Sequence, residues 1–85
     1  MSYVIEFEKS AAKAFKKLDA KEQRSISETI DGLQKGPRQH GAIKLKGETN
    51  LYRVRAGDYR IVYQIHDQRL LVLIVRIAHR REVYR

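Results

Sequence analysis

The sequence predicts an α+β fold in which a helical hairpin covers one face of a largely antiparallel sheet. Three observations predict it: an apolar period of two at the start of the chain, a helical period through residues 8–35, and a return to period two from residue 51 onwards. The chain has 85 residues, a length typical of one small domain, and it contains no Pro-, Gly- or Ser-rich linker. We therefore predict a single domain over residues 1–85 with the element order β-α-α-β-β-β.

The first strand and the two helices follow from the spacing of apolar residues. Alternation of apolar positions indicates a short first strand containing Tyr3, Ile5 and Phe7. The apolar stripes of the two helices repeat at intervals of three and four residues, and they consist of Ala11, Ala14, Phe15 and Leu18 and then of Ile26, Ile30 and Leu33. Asp19 followed by Glu22 matches a capping box that opens the second helix, and Gly36-Pro37 is a strong stop signal.

Residues 38–50 are predicted to form a basic loop, after which three strands form an antiparallel meander. The strands are predicted over residues 51–55, 58–65 and 69–78. Ala56-Gly57 predicts a two-residue turn between the first two, because glycine adopts the positive φ that tight hairpins require. Asp67-Gln68 predicts a second tight turn. The apolar run at 70–75 indicates that the last strand is buried on both faces.

The predicted turn at residues 56 and 57 sets Arg55 opposite Asp58 and Arg53 opposite Arg60. Alternation then places the apolar and aromatic residues of this hairpin on one face, called here the helix face because the helices cover it. The other face, called here the arginine face, carries Arg53, Arg55, Asp58, Arg60 and Gln64. Because only one helical hairpin is available, we expect the arginine face to be open to solvent.

The register of the last strand is left open by its sequence, because apolar residues occupy both of its faces. A two-residue turn at residues 67 and 68 places His79 on the arginine face. A three-residue turn places Arg80 there instead.

The distribution of charge indicates a polyanionic ligand. The chain has 18 Lys and Arg against 10 Asp and Glu, a net charge of +8, and from Tyr52 onwards it contains arginine but no lysine. A guanidinium can clamp a phosphate through two hydrogen bonds. Opposed like charges destabilise a strand pair, so several arginines on one face favour a phosphate site over a purely structural role.

Several classes of function are excluded by composition. The chain has no cysteine, which excludes disulfides and thiol catalysis, and its histidines at 40, 66 and 79 lack metal-ligand spacing. We therefore predict no metal and no cofactor. The N-terminus does not match a signal peptide and the longest apolar run is too short to span a bilayer. These features predict a cytoplasmic protein without a membrane partner.

Other basic and aromatic residues are candidates for RNA contact. Lys44 and Lys46 in the predicted loop, with Arg81 near the C-terminus, are candidate contacts to an RNA backbone. Tyr84 in the basic tail is a candidate for stacking on a base, with packing back onto the sheet as the alternative.

Four short segments form a combination specific enough to indicate a family. They are KLKG at 44–47, YRVR at 52–55, GDYRIVY at 57–63 and HRREVY at 79–84. Together with the preceding strand and helical hairpin, this combination resembles the RelE/ParE toxin superfamily over nearly the whole chain. The resemblance implies a helical hairpin on an antiparallel-rich sheet, which is the fold predicted above.

For the RelE branch, the resemblance implies a toxin that cuts messenger RNA in the ribosomal A site, by attack of a ribose 2′-hydroxyl on the adjacent phosphate without a metal. The basic residues of that branch match Arg53, Arg55, Arg60 and Arg80 of this chain, and its C-terminal tyrosine matches Tyr84. The implied partners are the ribosome, messenger RNA and a cognate antitoxin that covers this face.

The general base is the open part of this chemistry, because arginine stays protonated near neutral pH. The candidates are His79, a residue type that ordinarily titrates near neutral pH, Tyr84, and a group of the ribosome. Two other functions compete with the nuclease: the ParE branch, whose members poison DNA gyrase and cut nothing, and a plain nucleic-acid-binding module.

Overall fold

The computed structural model of the chain describes residues 2–39, 41–45, 47, 50–79 and 81. Two helices pack on one face of a five-stranded sheet. The strands are β1 (Val4–Phe7), β2 (Ile43–Lys44), β3 (Leu51–Ala56), β4 (Tyr59–His66) and β5 (Leu71–His79), the helices are α1 (Lys9–Lys16) and α2 (Ala20–Lys35), and a 3-10 turn covers Asp67–Arg69. The predicted α+β class, N-terminal strand, helical hairpin and meander are confirmed.

The sheet has the strand order β1-β5-β4-β3-β2, with β1 parallel to β5 and every other pair antiparallel. The loop predicted over residues 38–50 was incomplete, because Ile43 and Lys44 pair with Arg53 and Tyr52 as an edge strand. Two residues are too few to show a recognisable period, so the sequence could not indicate β2. No helix within the described ranges is long and apolar enough to cross a membrane.

The boundaries of α2 agree with the signals in its sequence. The Asp19 side chain caps the helix by accepting a hydrogen bond of 2.9 Å from the Glu22 backbone N–H. At the other end the helix stops at Lys35, and the N–H of Gly36 donates to the carbonyl of Gly32 at 3.1 Å. The predicted apolar stripe of α2 is buried in the core.

The core lies between the helices and the helix face of the sheet, and Tyr63 of β4 is at its centre. Tyr63 is wholly buried, and its hydroxyl donates a hydrogen bond of 2.6 Å to the carbonyl oxygen of Pro37. Burial, with Tyr52 nearby, raises the pKa of Tyr63 to about 12, so this hydroxyl remains a donor at neutral pH. The bond joins β4 to the segment that follows α2.

The turn between β3 and β4 lies one residue further along the chain than predicted, which shifts the pairing of the two strands by two residues. Ala56 pairs with Tyr59, so the turn residues are Gly57 and Asp58 rather than Ala56 and Gly57. Gly57 has a φ of 62° and Asp58 has no positive φ, which matches a type II′ turn with glycine at its first central position. Each residue keeps its predicted face, but Arg55 now lies opposite Arg60 instead of Asp58.

A β-bulge between β4 and β5 determines which side chains the end of β5 presents on each face. Val62 pairs with Arg76 whereas Tyr63 pairs with Ile74, so Val75 is an additional residue in β5. Beyond the bulge, Tyr59 pairs with His79. His79 therefore lies on the helix face. His66 pairs with Leu71, so four residues separate β4 from β5 and neither the predicted two-residue turn nor the three-residue turn is observed.

A cluster of polar side chains joins four parts of the chain at the end of the sheet away from the β3–β4 turn. The Arg38 guanidinium donates to both carboxylate oxygens of Asp67, at 3.0 and 2.8 Å. The hydroxyl of Tyr3 donates to the same carboxylate at 2.7 Å, and Nε of Arg38 donates to the hydroxyl of Tyr52 at 3.2 Å. These bonds hold the segment after α2 against the β4–β5 turn.

Replacing Asp67 with asparagine is expected to make stability less dependent on pH under acidic conditions. The hydrogen bonds from Arg38, and then that from Tyr3, lower the pKa of Asp67 to about 2. Because the folded value lies below the unfolded value, the carboxylate stabilises the fold above about pH 4, and this contribution is lost as the pH falls towards 2. The ion pair is half exposed, so solvent screening limits its size.

Urea unfolding between about pH 2 and pH 6 measures this contribution. The free energy of unfolding should fall more steeply with acidification in the native chain than in Asp67→Asn. Parallel curves for the two proteins would contradict the role given to this carboxylate.

Candidate functional site

The arginine face brings Arg53, Arg55 and Arg60 together on two neighbouring strands. Arg55 lies directly opposite Arg60, and Arg53 lies two residues before Arg55 on β3. Arg53 and Arg60 are therefore diagonal neighbours, a relation that places Cα atoms about 7–8 Å apart and within reach of long side chains. Three guanidinium groups thus share one small area of the sheet.

Arg60 is buried, which corrects the expectation that it is open to solvent. Its exposed fraction is only 5 %, and within the described part of the chain it is the only charged residue in the buried class. Arg55, directly opposite on β3, is exposed. A positive charge in poorly solvated surroundings acts more strongly on a nearby anion than the same charge in water.

An open cleft of about 280 Å³ lies beside the three arginines. The residues that line it are Gly41, Ile43, Arg53, Val54, Arg55 and Arg60. Ile43 belongs to the edge strand β2, pairs with Arg53 and is 51 % exposed. The cleft therefore has a cationic floor and an apolar wall, a combination suited to a phosphate with its sugar attached.

Two of the three arginines lack a carboxylate partner within the part of the chain that the structure describes. Among the described residues, no carboxylate lies within 4 Å of the guanidinium of Arg53 or Arg55. In the same set of residues, the buried Nε of Arg53 has no hydrogen-bond acceptor. Asp58, which was expected opposite Arg55, occupies the turn instead. The guanidinium groups of Arg53 and Arg55 are therefore available to bind an anion in the cleft.

Arg76 is a fourth member of the arginine face that the sequence analysis missed. It pairs with Val62 across β4 and β5, and its side chain is exposed. Its face could not be read from the sequence, because apolar residues occupy both faces of β5. The bulge, seen only in the pairing of β4 with β5, turns Arg76 to the arginine face.

Two of the other predicted site residues, Lys44 and His79, lie on the helix face and so away from the cleft. Lys44 pairs with Tyr52, whose side chain is on the helix face. The ring of His79 packs edge-on against Tyr59, with centroids 5.3 Å apart. Arg81 is exposed, and its backbone N–H donates to Nδ1 of His79 at 3.3 Å. Lys46, Arg80 and Tyr84 lie outside the described residues.

The arrangement can bind and stabilise an anion, but its arginines cannot exchange protons near neutral pH. Each guanidinium offers several N–H donors and a permanent positive charge. Within the described ranges, no group of three or more acidic or histidine side chains could hold a metal ion. The chemistry that these residues support is therefore the stabilisation of negative charge on a phosphate.

Comparison with known families gives one match over nearly the whole chain. Residues 5–84 match the family described as "ParE toxin of type II toxin-antitoxin system, parDE". A curated relative, the mRNA interferase toxin RelE of Escherichia coli (strain K12), is 30% identical over 88 residues, which cover 99% of this chain and 92% of that protein.

Solved structures of similar proteins share the fold. The archaeal RelE–RelB complex from Pyrococcus horikoshii OT3 contains a chain that superposes with a TM-score of 0.82 at 30% identity, covering 94% of this chain and 97% of that one. The intact RelBE toxin–antitoxin complex of E. coli gives a TM-score of 0.82 at 25% identity, covering 92% of this chain and 96% of that one.

Proposed function

Because this chain belongs to the RelE/ParE superfamily of type II toxin–antitoxin toxins, on its RelE-like branch, we propose that it is an endoribonuclease that cleaves messenger RNA in the ribosomal A site. The observation that carries the proposal is the cleft whose floor is formed by Arg53, Arg55 and the buried Arg60. The name of the E. coli relative, an mRNA interferase toxin, supports the same reaction. Cleavage of messages would inhibit translation.

The proposed reaction is an internal transfer within the RNA strand. The ribose 2′-oxygen forms a bond to the adjacent phosphorus, and the bond from phosphorus to the 5′-oxygen of the next nucleotide breaks. A base takes the proton of the 2′-hydroxyl, and an acid gives a proton to the departing 5′-oxygen. The products end in a cyclic phosphate and a 5′-hydroxyl. The nucleophile belongs to the substrate, so the proposal requires no metal.

The arginines of the cleft stabilise the charge that develops during this transfer. Arg53 and Arg55 donate hydrogen bonds to the non-bridging oxygens of the reacting phosphate. Arg60 lies opposite Arg55 in poorly solvated surroundings. Its charge is held in place before the reaction, which is the arrangement that favours a transition state over a ground state.

The remaining roles follow the resemblance to the RelE branch. Arg80 adds positive charge to the site, and Tyr84 either stacks on a base or takes part in proton transfer. The proposed base is Tyr84 or a group of the ribosome, because His79 packs against Tyr59 on the helix face.

Replacing His79 with glutamine tests this assignment. The substitution is expected to leave the pH dependence of cleavage near neutral pH unchanged, because the ring lies on the face of the sheet away from the cleft. Single-turnover cleavage of ribosome-bound message should be measured from about pH 6 to pH 9. A flattened profile in His79→Gln would instead make this histidine the acid or base.

The other basic residues and the antitoxin complete the set of partners in the proposal. Lys44, Lys46 and Arg81 contact the RNA backbone of the message or the ribosome. A cognate antitoxin covers the arginine face and so blocks access of RNA. The two structural relatives are toxin–antitoxin complexes, which supports such a partner.

The decisive experiment is to add the purified protein to programmed ribosomes and to map breaks in the message by primer extension. Breaks within the A-site codon, absent from the same RNA without ribosomes, are the expected result. Intact message with normal translation would contradict the proposal.

A second candidate function is a DNA gyrase poison without nuclease activity, and it is favoured by the ParE name of the matching family. A gyrase cleavage-complex assay distinguishes the two functions. Accumulation of gyrase-linked DNA breaks, together with intact message on the ribosome, would favour this candidate over the nuclease.

A further inference from the structure

We propose that Arg76 forms a second phosphate subsite, which binds a backbone phosphate of the message beside the one that reacts. This inference rests on the proposed function, since it extends the same site along the RNA strand. Arg76 is exposed on the arginine face, where the β-bulge at Val75 places it. Bulges beside functional sites commonly redirect one side chain in this way.

The position of Arg76 suits a neighbouring phosphate rather than the reacting one. Arg53 and Arg76 flank Val62 in one row across β3, β4 and β5. Two strand spacings of about 4.8 Å separate their backbones by about 10 Å. Arg60 pairs with Ala78, so Arg76 is its diagonal neighbour on β5. Arg76 therefore lies at the β5 side of the arginine cluster, two strands away from Arg53 and Arg55, and within reach of the same strand of RNA.

The surface between the two cationic positions is apolar. Ile43, Arg53, Val62 and Arg76 form one row across four strands, in which apolar and cationic side chains alternate. Ile43 is 51 % exposed and Val62 is half-buried. A nucleotide offers the same alternation of charged phosphate and less polar sugar, so this row complements an extended RNA strand.

No structural role in the described part of the chain uses the charge of Arg76. No carboxylate among the described residues lies within 4 Å of its guanidinium. Because Arg76 is solvent-exposed and away from the reacting phosphate, it contributes to binding in the ground state and in the transition state alike. Such uniform binding lowers KM and leaves kcat unchanged.

The test compares Arg76→Gln with the native chain, with Arg76→Lys and with Arg24→Gln. Arg24 is an exposed arginine of α2, in the helix layer on the other side of the sheet, and serves as the matched control. Binding is measured on ribosomes programmed with a message whose A-site codon carries 2′-deoxy sugars, which the proposed reaction cannot cleave. KM and kcat are measured on the ordinary message.

Arg76→Gln is expected to raise Kd and KM about fivefold at low salt, with kcat within about twofold of the native value. The slope of log Kd against log salt concentration should fall by about 0.7, the value for one phosphate contact to a single strand. Arg76→Lys should keep the native slope, and Arg24→Gln should keep the native Kd and slope. Native Kd, KM and slope in Arg76→Gln would overturn the proposal, as would a loss confined to kcat.

Uncharged methylphosphonate links identify the phosphate that Arg76 binds. Placed one at a time in the message, one link should weaken binding by the native chain but not by Arg76→Gln. If no position behaves in this way, Arg76 contacts ribosomal RNA instead and the proposal is wrong. If the native chain binds the programmed ribosome but does not cleave the message, while Arg76→Gln still shows the expected decrease in the slope of log Kd, the subsite stands and the nuclease function fails.

Discussion

Replacing Arg60 with alanine is expected to lower the rate of message cleavage on the ribosome by about 100- to 1,000-fold, the loss typical of removing one preorganised charge-stabilising donor. Arg60 is 5 % exposed and lies directly opposite Arg55. In the variant, bulk water therefore cannot readily supply the charge stabilisation that the guanidinium provides. The loss should be in kcat, because a group held in place beside the reacting phosphate acts mainly in the transition state. Single-turnover cleavage at saturating toxin measures it.

Two further variants separate a catalytic effect from a loss of folding. Arg60→Met keeps most of the side-chain volume and removes the charge, so it should remain folded and be as slow as Arg60→Ala. Arg60→Lys restores the charge without the planar guanidinium and should recover part of the rate. Thermal unfolding is measured for each variant. A folded Arg60→Met with the native cleavage rate would contradict the role proposed for Arg60.

Replacing Arg55 with glutamine is expected to stabilise the fold while lowering cleavage. Arg55 and Arg60 face each other across β3 and β4, and no carboxylate among the described residues lies within 4 Å of Arg55. Removing one of two opposed like charges should raise the free energy of unfolding by about 0.2–1 kcal/mol, a gain that salt reduces. Cleavage should fall at least about tenfold, because a phosphate contact is lost. Opposite effects on stability and activity are typical of functional sites.

The control for this prediction is Arg55→Lys, which keeps the charge and therefore the repulsion. Urea unfolding at low and high salt should show the native stability for Arg55→Lys and the gain for Arg55→Gln only. If Arg55→Gln is less stable than the native chain, the guanidinium contributes to the fold and the conflict between stability and function is absent.

The features that the sequence by itself determined depend on residues close together in the chain. The periods of the apolar residues indicated the first strand, both helices and the meander, and Asp19 and Gly36 marked the ends of α2 where the structure has them. Side chains alternate along any strand, so the sequence also placed Arg53 and Arg55 on one face of β3, and the predicted hairpin placed Arg60 on the same face.

Only the tertiary structure decided how the strands pair, because pairing depends on residues distant in the chain. Gly57 can occupy either central position of a tight turn, so its presence alone could not show that Arg55 lies opposite Arg60. The apolar run of β5 fits either face, so its register depended on the bulge at Val75. That bulge places His79 beside Tyr59 and Arg76 on the arginine face.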